Sequence, residues 1–367
     1  MDAAREPRTA GRGPRYAGRR SAYATAAARL ARFGDRALGD AVAAAGEAGS
    51  GIGGRRAELE IEGIPVFVKR VPLTEIETRP EHLCSTANLF GLPLFYQYGV
   101  GSAGFGAWRE LAAHLLTTSW VLGDEYGGFP LLYHWRVLPD RPPPDVADEF
   151  GGVDGAVAYW EGSPAVRARL EAIGRSSLSL VLFLEHLPQT LGAWLAGAGD
   201  GVRPGAEDDG PHLWAWRELL RGAEFLASRG LVHFDAHLAN VLTDGERVYF
   251  SDFGLALGRS FHLTPEESAF LDDHLVYDRC YVPWHLLRHH LPGAWRGGAE
   301  PGAFLRDWAA GRRPGGVPAG IAAAVDRHAP AALVMDEFAR RLVTETKHTP
   351  FPAAEIRRAL GGPADTG

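Results

Sequence analysis

The chain has 367 residues, 46% of them hydrophobic and 23% charged, with a net charge of −7. That supplies core for two packed units or one large one, and an acidic body argues against nucleic acid as the main partner. No apolar run approaches bilayer-spanning length, no secretory segment follows Met1, and Cys84 and Cys280 provide neither a disulfide framework nor a metal-ligand pattern, so a cytoplasmic protein with no membrane partner is expected.

Charge is uneven along the chain. Residues 1–35 carry eight arginines against Asp2, Glu6 and Asp35, a balance of +5 that leaves −12 on the remainder. Rich in Arg, Ala and Gly, this head reads as a disordered basic tail, with a transit peptide or docking arm as the other readings. The alanine-rich run Leu38 to Ala45 is the candidate first strand. Gly49-Ser50-Gly51-Ile52-Gly53-Gly54 then fits GxGxxG, Ala57 to Ile61 alternates as a half-buried strand, and Glu62 to Pro65 makes a turn into Val66-Phe67-Val68-Lys69. Only Lys69 and Lys347 stand against 36 arginines. A retained lysine therefore marks a position that a guanidinium fork does not serve.

Gly99-Val100-Gly101-Ser102-Ala103-Gly104 matches GxGxxG a second time. No strand pair and lysine follow it, so it reads as a loop into the next helix, with contact to substrate as the alternative. That helix, Ala107 to Thr117, places Leu111, His114 and Leu115 on one face. Its Glu110 is either the partner of Lys69 or a solvated helix-start carboxylate. Phe129 to Val137 is strand-like, Pro139 to Pro164 reads as an irregular insertion, and Leu178 to Leu184 is a continuous apolar strand. Thr190 to Ala196 is helical, Ala198 to Gly210 is a loop, and Leu213 to Arg229 is a helix with an apolar stripe ended by Gly230.

Next come His233-Phe234-Asp235-Ala236-His237-Leu238-Ala239-Asn240 and, twelve residues after the asparagine, Asp252-Phe253-Gly254. Between them Val241 to Thr243 and Val248 to Phe250 are β-prone and joined by Asp244-Gly245-Glu246-Arg247, a hairpin signal. Closing that hairpin brings Asn240 beside Asp252, with Asp235 at the head of the same loop. Two hard oxygen donors and a carboxylate base then converge, as Mg²⁺-nucleotide chemistry requires. Thr264-Pro265-Glu266 follows Asp252 by twelve residues, which leaves little room for a peptide-docking segment. Asp278 is either a brace for the loop or a helix-start charge. His285, His289 and His290 have helical spacing, and Trp194, Trp214 and Trp216 read as packing residues. An amphipathic helix, Val334 to Thr346, precedes an exposed Lys347.

The segment 231–257 resembles the catalytic loop and DFG segment of the protein-kinase-like superfamily, and a weaker likeness runs across about residues 45–290. The resemblance implies an α+β, two-lobed fold: a small, mainly antiparallel N-lobe over 36–185, with insertions at 75–107 and 139–164, and a mainly helical C-lobe over 186–360. Residues 361–367 would be a disordered tail. ATP and Mg²⁺ would occupy the cleft. Asp235 would be the base, Asn240 and Asp252 the metal ligands, and Lys69, oriented by Glu110, the grip on the phosphates. Gly49, Gly51 and Gly54 would cover the phosphates, and the run Leu184 to Pro188 would be the hinge, with backbone near Glu185 and Leu187 meeting the adenine edge. Phe234 stands where many regulated protein kinases carry arginine, so control by activation-loop phosphorylation is not expected. Phe67 stands where a small residue is usual. His237 makes the loop more similar to that of aminoglycoside and choline phosphotransferases. The expected function is a Ser/Thr protein kinase; a small-molecule phosphotransferase is the alternative acceptor class, and a nucleotide-binding pseudokinase the non-enzymatic one.

Overall fold

A computed structural model describes residues 14–45, 49–51, 54–144, 146–198 and 210–361, so the tail at 361–367 lies, save Gly361, outside the described residues. The architecture is α+β. Two helices, α1 (Pro14–Ala31) and α2 (Asp35–Ala44), precede β1 (Gly49–Gly51), β2 (Gly54–Ile61) and β3 (Ile64–Leu73). Then come α3 (Ala107–Leu122), β4 (Leu132–Pro139), α4 (Val153–Tyr159), α5 (Pro164–Ile173) and β5 (Leu178–Glu185). The five strands form one antiparallel sheet in the order β1-β2-β3-β5-β4. No described helix is long and apolar enough to cross a membrane.

The continuous apolar run of β5 follows from burial on both faces. Val181 and Phe183 join Val66 and Val68 in a core shared with Ala26, Leu30, Leu38 and Val42 of α1 and α2. Leu180, Leu182 and Leu184 point the other way, packing with Ala107, Trp108 and Leu111 of α3. Period-two geometry thus fixes which side of β3 carries Lys69.

The same requirement corrects two expectations. The head read as a disordered tail over 1–35 is helical from Pro14, and the candidate strand Leu38 to Ala45 lies mainly in α2. Alanine-rich sequence favours helix, and the odd-numbered face of β5 needs a cover that these helices provide. The strand expected at Phe129 to Val137 forms two to three residues later, as β4. Leu115 of α3, expected on the buried face, is 49% exposed.

The two stretches read as insertions are also structured. Leu92, Tyr96 and Phe105 from the first pack with Trp160 from the second, and with Val166 and Leu170 of α5 just after it, in a core of their own. Sequence periodicity missed α4 because it spans only seven residues behind glycines. The pair is riveted by Glu77, whose Oε2 accepts from Arg169 Nη1 at 2.8 Å and Thr74 N at 3.0 Å, while Oε1 accepts from Ala107 N at 2.9 Å. Both ionised side chains are buried. Arg169→Met should therefore cost about 3–5 kcal/mol, because it strands a buried carboxylate; denaturant unfolding checks it, and a loss below about 1 kcal/mol would contradict the assignment.

The remainder is mainly helical. It begins with β6 (Gln189–Thr190), α6 (Leu191–Ala198), α7 (Pro211–Ser228), β7 (Leu231–Val232), β8 (Val241–Thr243), β9 (Val248–Phe250) and β10 (Leu257–Gly258). It continues through α8 (Pro265–His274), α9 (Tyr277–His289), α10 (Pro301–Ala309), α11 (Ala319–Thr344) and α12 (Ala353–Ala359). Thr264-Pro265-Glu266 is the start of α8, where Thr264 and Glu267 form a capping box. Lys347, expected to be exposed, is buried: its Nζ donates to Leu342 O at 2.8 Å and lies 3.8 Å from the Tyr159 ring centroid, a cation–π contact supplied by the second insertion.

Beneath the loop at 233–240, His274 is buried among Tyr98, Phe234, Phe270 and Phe351. Its Nδ1 donates to Phe270 O and its Nε2 accepts from the Tyr98 hydroxyl. Burial, partly opposed by the Phe270 bond, lowers its pKa to about 3. Unfolding below pH 6.5 therefore takes up a proton, so this contribution is complete above 6.5 and is lost as pH falls toward 3. Relative to His274→Gln, the wild type should lose about 2 kcal/mol between pH 7 and 5, measured by urea unfolding at both pH values; parallel pH dependence would refute it.

Candidate active site

Lys69 lies opposite Leu182 in the β3–β5 ladder, on the α3 side of the sheet. Its Nζ donates to Glu110 Oε1 at 2.6 Å and to Asp252 Oδ1 at 2.7 Å, joining residues 41 and 183 positions away. Burial works against the ammonium, but the charges of Asp252 and Glu110 outweigh it and hold the pKa above the usual lysine range. The paired reading of Glu110 is the one observed. Its neighbours hold the helix start in place: Trp108 Nε1 donates to Glu77 O at 2.9 Å, while Arg109 donates to Thr86 O at 2.7 Å and to the buried Glu267 at 2.6 Å.

The loop at 233–240 is built around a strained turn. Phe234 has φ +64°, an unfavourable region for a bulky residue, and its ring is fully buried. Asp278 holds that turn: its carboxylate accepts from His233 N at 2.6 Å and Phe234 N at 3.2 Å. Asp278 is therefore the brace, and burial raises its pKa to about 7 against the lowering effect of those two bonds. His233 accepts from Asp235 N at Nδ1 and donates from Nε2 to Ser251 O at 2.9 Å, which requires the neutral ring; burial lowers its pKa to about 4.

The expected hairpin forms, with Val241 opposite Phe250 and Thr243 opposite Val248. Its turn is held by Asp244 Oδ1, which accepts from Glu246 N and Arg247 N. Its open end closes where Ser251 donates from N and Oγ to Asn240 O, at 3.0 and 2.7 Å. Asp252, itself at φ +61°, thereby stands beside Asn240. Asn240 Nδ2 donates to Asp235 Oδ2 at 2.9 Å, leaving the amide oxygen free of that bond. Asp235 Oδ1 is buried with no hydrogen-bond donor. Burial, then the nearby Asp252 charge, raise the Asp235 carboxyl to about 8. Burial would raise Asp252 as well, but Lys69 overrides it and holds Asp252 at about 2. Two neighbouring carboxyls are thus driven apart, as acid–base sites require. His237 Nε2 lies 3.7 Å from Asp235 Oδ1, so this ring faces the site.

Two cavities meet here. One of about 250 Å³ is lined by Phe67, Lys69, Leu184, Glu185 and Leu187; another of about 520 Å³ is lined by Gly99, Glu110, Glu149, Asp235 and His237. Asn240, Asp252 and Arg56 line both. Phe67 forms part of the smaller cavity's wall without filling it. Of the glycine loop, Gly49 and Gly51 pair as β1 with β2, while Gly54 lines a separate small cavity with Glu149 and Phe150. Residues 52 and 53 lie outside the described residues.

The side chain of Glu185 is not available to the smaller cavity. Arg19 of α1 grips it twice, at 2.7 Å each, and also donates to Phe129 O and Gly127 O. No local signal singles out Arg19 among the arginines of the head. Nor did sequence reasoning assign Glu149, or reveal that Gly99 touches Asp235; the repeated GxGxxG was the available signal for the latter.

The donor set suits a nucleotide-borne Mg²⁺. Among the described residues no group of three or more His, Cys, Asp or Glu is placed to hold a metal by protein ligands alone. Mg²⁺ characteristically takes one or two protein oxygens together with substrate phosphates, and Asp252 and Asn240 offer such a pair. No family model matches the sequence, and no curated protein matches it either.

Proposed function

We propose that this chain is an ATP- and Mg²⁺-dependent phosphotransferase of two-lobed, protein-kinase-like build that transfers the γ-phosphoryl group to a hydroxyl. The observation that carries this reading is the bridge from Lys69 to both Glu110 and Asp252, with Asn240 and Asp235 hydrogen-bonded alongside. A pure nucleotide-binding module has no need of a carboxylate that Asn240 holds in place, with its other oxygen unbonded, in the wall of a second cavity. That argues for an enzyme over a pseudokinase.

In this reading adenine enters the smaller cavity and meets backbone at Leu187, and Lys69 contacts the α- and β-phosphates while Glu110 keeps its ammonium aimed. Mg²⁺, held at Asn240 and Asp252, supplies charge neutralisation on the phosphates. Asp235 orients the acceptor hydroxyl and takes its proton late in the transfer. Positioning and electrostatics supply most of the acceleration.

The acceptor reading shifts from the protein kinase expected from sequence toward a small molecule. The chain after Asp252 is covered by the first insertion: Gln97 Nε2 donates to Leu255 O, and Thr86 Oγ1 accepts from His262 N. Formation of ADP should require Mg²⁺, and Glu110→Gln, which leaves Lys69 with one charged partner, should lower kcat/KM for ATP about 10–10²-fold. A coupled ADP assay checks both; indifference to Glu110 would count against the phosphate grip assigned to Lys69.

A further inference from the structure

We propose that Arg19 of α1 is a positioning residue of the nucleotide site: it clasps both ends of the connection that walls the smaller cavity, and so sets the fraction of the protein ready to bind nucleotide. The inference rests on the phosphotransferase reading for its ligand and adds a control on binding at that site. Residues 184–190 form one wall of the cavity. This wall is a narrow bridge between two sheets. β5 ends at Glu185, in the five-stranded sheet that carries Lys69, and β6 begins at Gln189. β6 pairs with β8, and β8 with β9, the hairpin that leads from Asn240 to Asp252. Three residues, 186–188, therefore join the two sheets along this wall. A change in the angle between the sheets moves Lys69 relative to Asn240 and Asp252 and alters the width of the cavity.

Arg19 reaches both ends of the bridge. Period-two geometry puts Glu185 with Val181 and Phe183, on the face of β5 that α1 and α2 cover. There Arg19 Nε and Nη2 donate to the two carboxylate oxygens at 2.7 Å each, a bidentate fork. Nη2 also donates to Phe129 O at 2.7 Å, and Nη1 to Gly127 O at 3.0 Å. At the other end, the guanidinium lies 5.2 Å from the ring centroid of Tyr249 on β9, a cation–π contact. The Tyr249 hydroxyl donates to Asp244 in the hairpin turn, and Phe250 N donates to Gly128 O, so the carbonyls that Arg19 holds are tied to the same strand. The Arg19 and Glu185 side chains are each 11% exposed, a sheltered pair that salt screens weakly and that is costly to open. Swinging one sheet from the other would pull the guanidinium from Tyr249 or from Glu185. Without the fork the competent arrangement is less populated, and apparent affinity falls by that fraction. Saturating nucleotide restores it, because Mg²⁺-nucleotide would contact groups on both sheets. Arg19 lines neither cavity, so the transfer step itself is left alone.

The test uses the full chain. Titration calorimetry with ADP and Mg²⁺ gives Kd, and a coupled ADP assay gives kcat and the KM for ATP, for the wild type, Arg19→Met, Arg19→Lys and Tyr249→Leu. Circular dichroism fixes a temperature at which each variant is folded. Arg19→Met should raise Kd and KM about tenfold or more while kcat stays within about threefold. Arg19→Lys, which returns the charge but not the fork, should recover part of that loss. Tyr249→Leu leaves the Arg19–Glu185 pair intact and frees the other end, and should raise Kd about threefold. If Arg19→Met does not fold, Arg19→Lys and Tyr249→Leu decide the question through Kd. A loss of stability with Kd and KM unmoved would make Arg19 a structural contact and overturn the proposal. So would a fall in kcat at unchanged Kd, or a Kd unmoved in Tyr249→Leu. Absence of ADP binding by the wild type would instead defeat the nucleotide reading beneath it.

Discussion

Asp252→Asn is expected to lower phosphoryl transfer by about 10³-fold or more, with a visible loss of Mg²⁺-dependent nucleotide binding. The size follows from two roles meeting in one side chain. In the proposed reading Asp252 is the carboxylate of the metal pair, and in the structure it is one of the two anions that hold the buried Lys69 in place. The amide retains the shape but not the charge, so Lys69 is left with Glu110 as its single charged partner and the phosphates lose a fixed anchor. Because Asp252 lines both cavities, both kcat and the KM for ATP should move. Steady-state kinetics across a Mg²⁺ titration measure this. Activity within tenfold of the wild type would remove Asp252 from the metal site.

Asp235→Asn should separate those two parameters. Asp235 lines the larger cavity and not the smaller one, and its Oδ1 is buried beside Gly99 with no hydrogen-bond donor. Loss of the base should lower kcat about 10²–10⁴-fold, while the KM for ATP stays within about threefold. The amide introduced by this substitution can still accept from Asn240 Nδ2 through its oxygen, so the loop should keep its shape. An unchanged kcat with a raised KM would show that Asp235 serves binding and that the base lies elsewhere.

How much of this was legible without coordinates depended on the range of the interaction. The hairpin from Val241 to Phe250 and the meeting of Asn240 with the chain entering Asp252 follow from local turn chemistry, and both appear as expected. The Lys69–Glu110 pair was also within reach, since strand parity and helix start restrict each side chain to one face. What escaped was set by tertiary packing. The helices α1 and α2 cover the second face of the sheet, and the hydropathy of the head does not announce that need. Lys347 is buried because Tyr159, from a distant part of the chain, lies over its ammonium. Gly99 was legible as a glycine but not as the residue beside Asp235, because several separate elements intervene between the two.

The central claim is that Asp235, Asn240, Asp252 and Lys69 form one phosphoryl-transfer centre. Its most direct test is a single-turnover experiment with γ-labelled ATP and Mg²⁺, run on the wild type and on Asp235→Asn with matched nucleotide occupancy. The account predicts Mg²⁺-dependent loss of the γ-phosphoryl group in the wild type, slowed at least about 10²-fold in the variant while both bind ATP equally. Equal rates in the two proteins, or bound ATP that neither protein turns over, would contradict it.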